Sequence, residues 1–311
     1  MGRQAVEFTS GDAVVRGWLF TPDGSQGPTP AIVMVPGFSA SSRFTVFDFY
    51  AEAFAEIGVA ALLVDARGFG LSDGDPRHEI NAWDQARDYR SAIEFLHGFD
   101  GIDPSRIAIW GVSLSAAVAA VVAAVDSRVA AVVLQAPAFG DDLSPANPDG
   151  SRFASIRETV LDADLDSFER TVDGPLPIVS PAQLSMPSIL KTLTAFHWFI
   201  NYGSRYGTGW ENQATIVRLV TPAPFDAQVC VPLIVVPILM VVAEDDEMEG
   251  ADSDVARHVF DRANEPKELF EVGGGHFGAL YHDSPESKLS ASVQQRFLRE
   301  HLIGHEQADH P

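Results

Sequence analysis

The sequence predicts an α/β fold with a mostly parallel central sheet and helices on both faces. Short apolar runs, typical of strands buried on both faces, alternate along most of the chain with segments of helical periodicity. Strands that alternate with helices of about 10 to 15 residues indicate βαβ crossovers and therefore a parallel sheet. The chain has 311 residues, of which 46% are hydrophobic, so it is long enough to bury a large core.

The predicted elements follow in a regular order. Alternating residues on either side of a turn at 10–12 predict an antiparallel hairpin at the start of the chain. Later strands are predicted at 31–35, 59–64, 106–110, 129–134, 238–243 and 268–272. Helices are predicted at 47–57, 80–96, 114–125, 252–263 and 286–302. The polar tail, 304–311, is expected to fray.

Between residues 139 and 230 the composition changes. Pro, Gly, Asp and Ser become frequent, and aromatic side chains cluster between 196 and 210. A disordered linker would not carry so many large apolar side chains, so we expect a folded insertion that covers a site. We therefore predict a core domain of residues 1–138 and 231–311 and a helical cap of residues 139–230. His197, within the aromatic cluster, is expected to be packed rather than to contact a substrate.

Charge and cysteine content exclude several classes of protein. The 21 Lys and Arg residues against 43 Asp and Glu give a formal net charge of −22. Such a surface repels phosphate backbones and anionic lipid headgroups, so neither nucleic acid nor a membrane is an expected partner. The apolar stretches 114–125 and 229–243 are also shorter than the roughly 18 to 20 apolar residues of a membrane span.

The same data predict a cytoplasmic protein. The single cysteine, Cys230, can form neither an internal disulfide nor a CxxC metal clip, which indicates a reducing compartment. The first residues lack the apolar core of a secretory signal. The oligomeric state is left open, a homodimer included.

The sharpest chemical signal is a Gly-x-Ser-x-Ser pattern at 111–115, between a predicted strand and a predicted helix. A nucleophilic serine on a sharp strand-to-helix turn needs small residues two positions away on either side, and Gly111 and Ser115 are small enough. Such a turn places the Ser113 hydroxyl at the helix N-terminus. The alternative is an ordinary tight turn in which Ser113 only caps the helix.

A serine nucleophile also needs a base, and the base needs an acid that orients it. Four consecutive carboxylates, 244–247, follow the predicted strand that ends at Ala243. We predict Asp246 as the acid, because it lies three residues past the strand and can turn over the sheet edge. Asp245 is the alternative, and at least two of the four carboxylates are expected to be solvated.

His276 is the predicted base. It follows the last predicted strand, 268–272, and three glycines at 273–275, whose flexible backbone would let the imidazole reach back to the centre of the sheet. The chain order of serine, acid and histidine is the order that this arrangement of strands requires.

The carbonyl that the serine attacks becomes an oxyanion, which needs two N–H groups aimed at it in advance. Leu114, directly after Ser113, supplies one from the helix N-terminus. The second is expected from the loop after the first parallel strand, and we select the backbone N–H of Phe38.

Taken together, these motifs resemble those of the serine α/β-hydrolases. The matching segments are 35–38, 65–74, 111–115, the Asp246 turn and 275–277. The resemblance implies an α/β-hydrolase fold with an inserted cap, and it gives 65–74 a structural role. Ser115 departs from the family pattern, because it stands where the last glycine of the motif is usual.

A finer resemblance joins the chain to a bacterial branch related to dienelactone hydrolases and fungal polyketide transferases. It is carried by 210–212, 263–267 and 274–277. Dienelactone hydrolases proper have a cysteine where this chain has Ser113, which argues against lactone specificity.

The predicted function is hydrolysis of an ester, thioester or similar acyl bond of a largely apolar small molecule, through an acyl-enzyme. One alternative is an acyltransferase or thioesterase of a polyketide-like biosynthetic pathway, and another is a non-catalytic binding protein on the same scaffold. No cofactor and no metal are expected, because the sequence has no HExxH motif, no phosphate-binding glycine loop and no metal-ligand spacing.

Overall fold

The computed structural model describes residues 1–24 and 27–304, and an eight-stranded sheet forms the centre of the fold. The strands are β1 (Gly2–Ser10), β2 (Ala13–Thr21), β3 (Thr29–Val35), β4 (Ala60–Val64), β5 (Glu79–Ile80), β6 (Ile102–Val112), β7 (Val129–Gln135), β8 (Arg170–Leu176), β9 (Ala214–Leu219), β10 (Ile238–Ala243) and β11 (Lys267–Val272). The helices are α1 (Thr45–Glu56), α2 (Ala82–His97), α3 (Leu114–Val125), α4 (Ser151–Leu161), α5 (Leu193–Gly203), α6 (Ala227–Cys230), α7 (Ser253–Asp261) and α8 (Pro285–Leu298). Of the tail predicted to fray, residues 305–311 lie outside the described part of the chain.

The main sheet has the strand order β1-β2-β4-β3-β6-β7-β10-β11. β1 and β2 form the predicted antiparallel hairpin, and β2 runs antiparallel to β4. All later neighbours are parallel. Every residue of β3, β4 and β10 is buried, because helices cover both faces of the sheet. The predicted mostly parallel sheet is therefore confirmed.

The carboxyl ends of four parallel strands meet at one edge of this sheet. The register pairs Val35 of β3 with Gly111 of β6, and Ala243 of β10 with Val272 of β11. The four loops that leave these strands therefore start side by side. These loops carry all five predicted site residues, which is the placement that open α/β sheets favour for ligands.

Of the two apolar stretches of the sequence, the first is buried in this core and the second is buried except around Leu233 and Val235, which are exposed. The first is α3, in which only Leu114 and Ala124 are not fully buried. The second covers α6, a short 3-10 turn and β10. No helix within 1–24 and 27–304 has both the length and the apolar character that crossing a membrane would require.

The helix predicted from residue 80 begins two residues later. Asn81 caps α2, since its side chain accepts a hydrogen bond from the Trp83 N–H. Glu79 and Ile80 instead form β5, which pairs in parallel with β9. Because β9 lies far from β5 along the chain, this pairing leaves no local pattern in the sequence. The local helical periodicity therefore led to the prediction of a helix from residue 80.

The predicted insertion contains strands as well as helices. β8 and β9 pair in antiparallel fashion, and together with β5 they form a second, three-stranded sheet. The helices α4, α5 and α6 make up the helical part that the sequence predicted.

The first part of the aromatic cluster lies on α5, and Tyr206 and Trp210 follow this helix. Trp198, Phe199 and Tyr202 are buried, and the Trp198 ring stacks on Phe277, with 5.0 Å between ring centroids. These contacts dock α5 on the loop that follows β11. The prediction for His197 is wrong: this residue is exposed, because it projects from the opposite face of α5.

Candidate active site

Ser113 stands on a sharp turn between β6 and α3. Its backbone has φ 58° and ψ −124°, a conformation that costs a non-glycine residue about 1 to 3 kcal/mol. Gly111 permits this turn, since a Cβ at that position would lie 2.2 Å from the Ser115 carbonyl oxygen. The Ser113 side chain makes no capping hydrogen bond to α3. The alternative in which Ser113 merely caps the helix is therefore wrong.

Two contacts hold this turn in place. The Ser113 N–H donates to the carbonyl oxygen of Gln135, at the end of β7, over 2.9 Å. The Ser115 hydroxyl, buried, donates to the carbonyl oxygen of Pro36 over 2.6 Å. Ser115 thus fits where a glycine is usual, and it ties the turn to the loop after β3.

A buried row of polar side chains lies behind the turn. Trp110 Nε1 donates to Gln294 Oε1 over 2.8 Å, and Gln294 Nε2 donates to Gln135 Oε1 over 2.7 Å. These bonds join β6, β7 and α8 directly beneath Ser113, and hydrogen bonds in a low-dielectric interior rigidify what they join. The sequence analysis missed this support, although a glutamine that ends an apolar strand is a signal that could have indicated it.

The side chains of Ser113, His276 and Asp246 form one hydrogen-bonded row. Ser113 Oγ lies 3.0 Å from His276 Nε2, and His276 Nδ1 lies 2.7 Å from Asp246 Oδ2. The His276 and Asp246 side chains are only 3% and 2% exposed. Since a carboxylate can only accept, Nδ1 of the neutral ring carries the proton and Nε2 accepts from the serine hydroxyl.

The loop after β10 separates the two candidate acids. Asp246 Oδ1 accepts the N–H of Met248 over 2.9 Å, which leaves Oδ2 directed at His276. Asp245 is exposed, and the hydrogen bond to the His276 ring comes from its neighbour. The structure therefore brings Asp246, and not Asp245, to the histidine.

The two residues whose N–H groups were predicted to hold the oxyanion line the same cavity. Phe38 and Leu114 line one cavity together with Ser113. Among the hydrogen bonds of the described residues, neither the Phe38 N–H nor the Leu114 N–H donates to a protein acceptor. Gly37 lets the loop approach, since a Cβ there would lie 2.9 Å from the Val112 carbonyl oxygen. The oxyanion role of Phe38 and Leu114 stays a prediction.

The cavity beside Ser113 has a volume of about 610 Å³ and is lined by both the core and the insertion. Its walls are mainly apolar, and the larger side chains are Phe38, Phe47, Trp198, Phe199, Phe277 and Leu280. Three charged lining residues come from the insertion: Asp173, Lys191 and Arg218. A pocket of this size with few polar groups suits a small, largely apolar molecule.

Asp65 has the structural role that the resemblance implied. This fully buried carboxylate accepts the backbone N–H groups of Ser42 over 2.6 Å and of Leu71 over 2.8 Å. Burial raises the pKa of Asp65, while both hydrogen bonds act to lower it. Asp65 thereby joins the loop after β3 to the loop after β4.

The Cys230 thiol does not offer a second nucleophile. Burial raises the pKa of the Cys230 thiol well above its ordinary value, so it is a poor nucleophile. In the part of the chain that the structure describes, no group of three His, Cys, Asp or Glu side chains is placed to hold a metal ion.

Glu247 is a contact residue that the sequence analysis missed. Its Oε2 accepts the backbone N–H of His276 over 2.9 Å, and its Oε1 accepts a hydrogen bond from the Thr194 hydroxyl of α5. Its position next to Asp246 was the available signal. No local pattern distinguishes it from the solvated carboxylates beside it, because both partners come from distant parts of the chain.

Comparison with known proteins agrees with this architecture. The sequence model of the alpha/beta hydrolase family matches residues 32–290. A polyketide transferase of Stachybotrys chlorohalonatus is 31% identical over 307 residues, which cover 94% of this chain and 96% of that protein. A thiohydrolase of Eupenicillium brefeldianum is 29% identical and covers 96% of this chain and 94% of its own length.

A solved structure extends the match to three dimensions. The alpha/beta hydrolase GrgF from Penicillium sp. sh18 superposes with a TM-score of 0.71 and 28% identity, over 97% of this chain and 100% of that one. The predicted α/β-hydrolase fold is confirmed, and so is the resemblance to fungal polyketide transferases.

Proposed function

The chain is an enzyme of the alpha/beta hydrolase family, and on that premise we propose that it is a serine hydrolase acting on an ester, thioester or similar acyl bond. The observation that carries this proposal is the hydrogen-bonded row from the Ser113 hydroxyl through His276 to Asp246, at the wall of the large cavity. A serine hydroxyl is nearly unreactive at neutral pH without such a base.

Acylation begins when Ser113 Oγ attacks the substrate carbonyl carbon while His276 Nε2 takes the hydroxyl proton. Asp246 stabilises the imidazolium that forms. The carbonyl oxygen becomes negatively charged and is held by the N–H groups of Phe38 and Leu114. The bond from carbon to the leaving oxygen or sulfur then breaks, and His276 gives its proton to the leaving group.

Deacylation repeats the sequence with water. His276 Nε2 removes a proton from a water molecule, whose oxygen attacks the acyl carbon. The bond to Ser113 Oγ breaks, the proton returns to the serine oxygen, and the carboxylic acid leaves. No cofactor takes part in either half.

The substrate is proposed to be a small molecule with a largely apolar acyl or alcohol part. Support comes from the aromatic and aliphatic side chains that line the cavity, several of which belong to the insertion. We also propose that residues 139–230 act as the cap over this site, and that the protein works in the cytoplasm.

Acyl transfer is the second candidate. Relatives that cover nearly the whole chain are named polyketide transferase, and the insertion contributes one side of the cavity. An acyl-enzyme shielded from water reacts with an alcohol or amine instead. Product analysis with a competing nucleophile separates this candidate from hydrolysis. A non-catalytic binding role has less support, because no member of the row is missing.

The decisive experiment measures intact mass after reaction with a fluorophosphonate probe. Wild-type protein should gain one adduct, Ser113→Ala none, and His276→Ala should react slowly. A panel of p-nitrophenyl esters of graded chain length then defines the acyl preference. Absence of an adduct on folded wild-type protein, with a smaller sulfonyl fluoride as well, would overturn the proposal.

A further inference from the structure

We propose that Glu247 is a positioning residue that couples the insertion to the catalytic histidine. Its two carboxylate oxygens hold one group each: the backbone of His276 and the first turn of α5. The position of α5 would therefore set the position of His276. The inference rests on the proposed function, because it assigns Glu247 a part in the reaction of Ser113.

The contact with His276 is built into the backbone. Glu247 Oε2 accepts the His276 N–H over 2.9 Å, and a bond from an amide to a carboxylate is stronger than one between neutral groups. Gly275 has φ +69°, and a Cβ there would lie 2.3 Å from Glu247 Oε2. The third glycine of the run thus makes room for this carboxylate, besides giving the turn its conformation.

The contact with the insertion is equally direct. Thr194 lies in the first turn of α5, next to Thr192, whose side chain caps the helix by accepting the Ala195 N–H over 3.2 Å. The Thr194 hydroxyl hydrogen-bonds Glu247 Oε1. The same helix carries Trp198, which lines the substrate cavity. A displacement of α5 by substrate would therefore reach the His276 backbone through Glu247, besides the stacking of Trp198 on Phe277.

Other contacts hold the loop after β10 against the insertion without touching His276. Lys191 Nζ lies 2.6 Å from Glu249 Oε2, with side chains 62% and 63% exposed. The Gly250 N–H donates to Asp141 Oδ1 over 2.7 Å. Lys191 and Glu249 both line the cavity, so Asp141 offers the matched control: an exposed acid that joins the insertion to the same loop, outside the cavity lining and not bonded to the histidine.

The test compares p-nitrophenyl acetate hydrolysis by five variants. Glu247→Ala should lower kcat roughly ten- to a hundred-fold with little change in KM, because a misplaced base slows the reaction without altering a small ester's binding. Glu247→Gln should retain most activity, since its amide oxygen can accept from His276 and its amide nitrogen can donate to Thr194. Thr194→Val should lower kcat by a smaller factor, and Asp141→Ala, which removes a contact between the same loop and the insertion, should match wild type.

The fifth variant tests the coupling. Thr194→Val combined with Glu247→Ala should be no slower than Glu247→Ala alone, because both changes break one path. Unchanged kcat in Glu247→Ala, or an equal loss in Asp141→Ala, or multiplicative losses in the double variant would overturn the proposal. If Glu247→Ala fails to fold, Thr194→Val and its rescue by Thr194→Ser decide the question.

The result is separable from the proposed function itself. Fluorophosphonate labelling of wild type, absent in Ser113→Ala, establishes the nucleophile independently of Glu247. If wild-type protein is labelled but the Glu247 variants keep their kcat, only the proposed role of Glu247 is overturned. Unlabelled wild type would remove the function on which it rests.

Discussion

The core edge and the insertion reach the same cavity by different means. At the core edge, Ser113 is held by its chain neighbours and by adjacent strands of one sheet. In the insertion, the cavity wall is held by packing between distant segments, such as Trp198 against Phe277. The position of Ser113 thus depends mainly on local backbone geometry, whereas the shape of the cavity depends on tertiary contacts. A single change at the core edge should affect the rate, whereas a change in the packed aromatic wall of the insertion should first affect stability.

The largest effect is expected from the acid at the core edge. Asp246→Asn should lower kcat/KM by about 10⁴-fold, because an amide that turns its NH₂ group toward His276 stabilises the wrong tautomer. Asp245→Asn is the matched control and should stay near wild type, since Asp245 is exposed. Steady-state kinetics on p-nitrophenyl esters measures both. A large loss in Asp245→Asn with an active Asp246→Asn would assign the acid to the neighbour.

The next largest effect is expected on the free energy of unfolding, from a substitution in the insertion. Trp198 is 2% exposed, packs on Phe277 and donates from Nε1 to the Leu280 carbonyl oxygen over 2.7 Å. Trp198→Ala should lower the free energy of unfolding by about 3 to 5 kcal/mol. Trp198→Phe, which keeps a ring but leaves the carbonyl without its donor, should lose about 1 to 3 kcal/mol.

Urea denaturation measures these changes, and the insertion supplies its own control. Tyr206 is a fully exposed aromatic residue of the same segment, and Tyr206→Ala should change the free energy of unfolding by no more than about 0.5 kcal/mol. Equal effects at Trp198 and Tyr206 would mean that α5 is not held by its packing.

The same contrast explains which features of the fold and of the site could be predicted from the sequence. The strands of the main sheet, Ser113 and His276 were predicted because each has a local signal: an apolar run, small residues beside the serine, or glycines before the histidine. The order of elements then placed them at one sheet edge. Asp246 and Asp245 could not be separated with certainty, since a loop conformation decides which carboxylate turns inward.

The composition of residues 139–230 predicted a folded segment with helices, but it did not reveal the strands β8 and β9 within that segment. β9 pairs with β5, which lies outside this segment, is only two residues long and precedes β9 at a long distance in the chain. Short strands of this kind have no hairpin and no turn to reveal them. The prediction for His197 was wrong for a related reason. The aromatic cluster was recognised in the sequence, but the face of α5 that packs on the core was not.

The smallest predicted effect lies where the turn at Ser113 touches the loop after β3. Ser115→Ala removes the 2.6 Å hydrogen bond to the Pro36 carbonyl oxygen, so a buried acceptor loses its partner and the free energy of unfolding should fall by about 1 to 2 kcal/mol. The loop that presents the Phe38 N–H would also loosen, and kcat should fall by about ten-fold, less than the loss of a whole oxyanion donor. Ser127→Ala, at an exposed turn after α3, is the control. Kinetics on p-nitrophenyl acetate and urea denaturation measure the two effects. If the free energy of unfolding falls while kcat does not, Ser115 stabilises the core edge without positioning the oxyanion loop. The expectation that changes at the core edge affect the rate would then be wrong for Ser115.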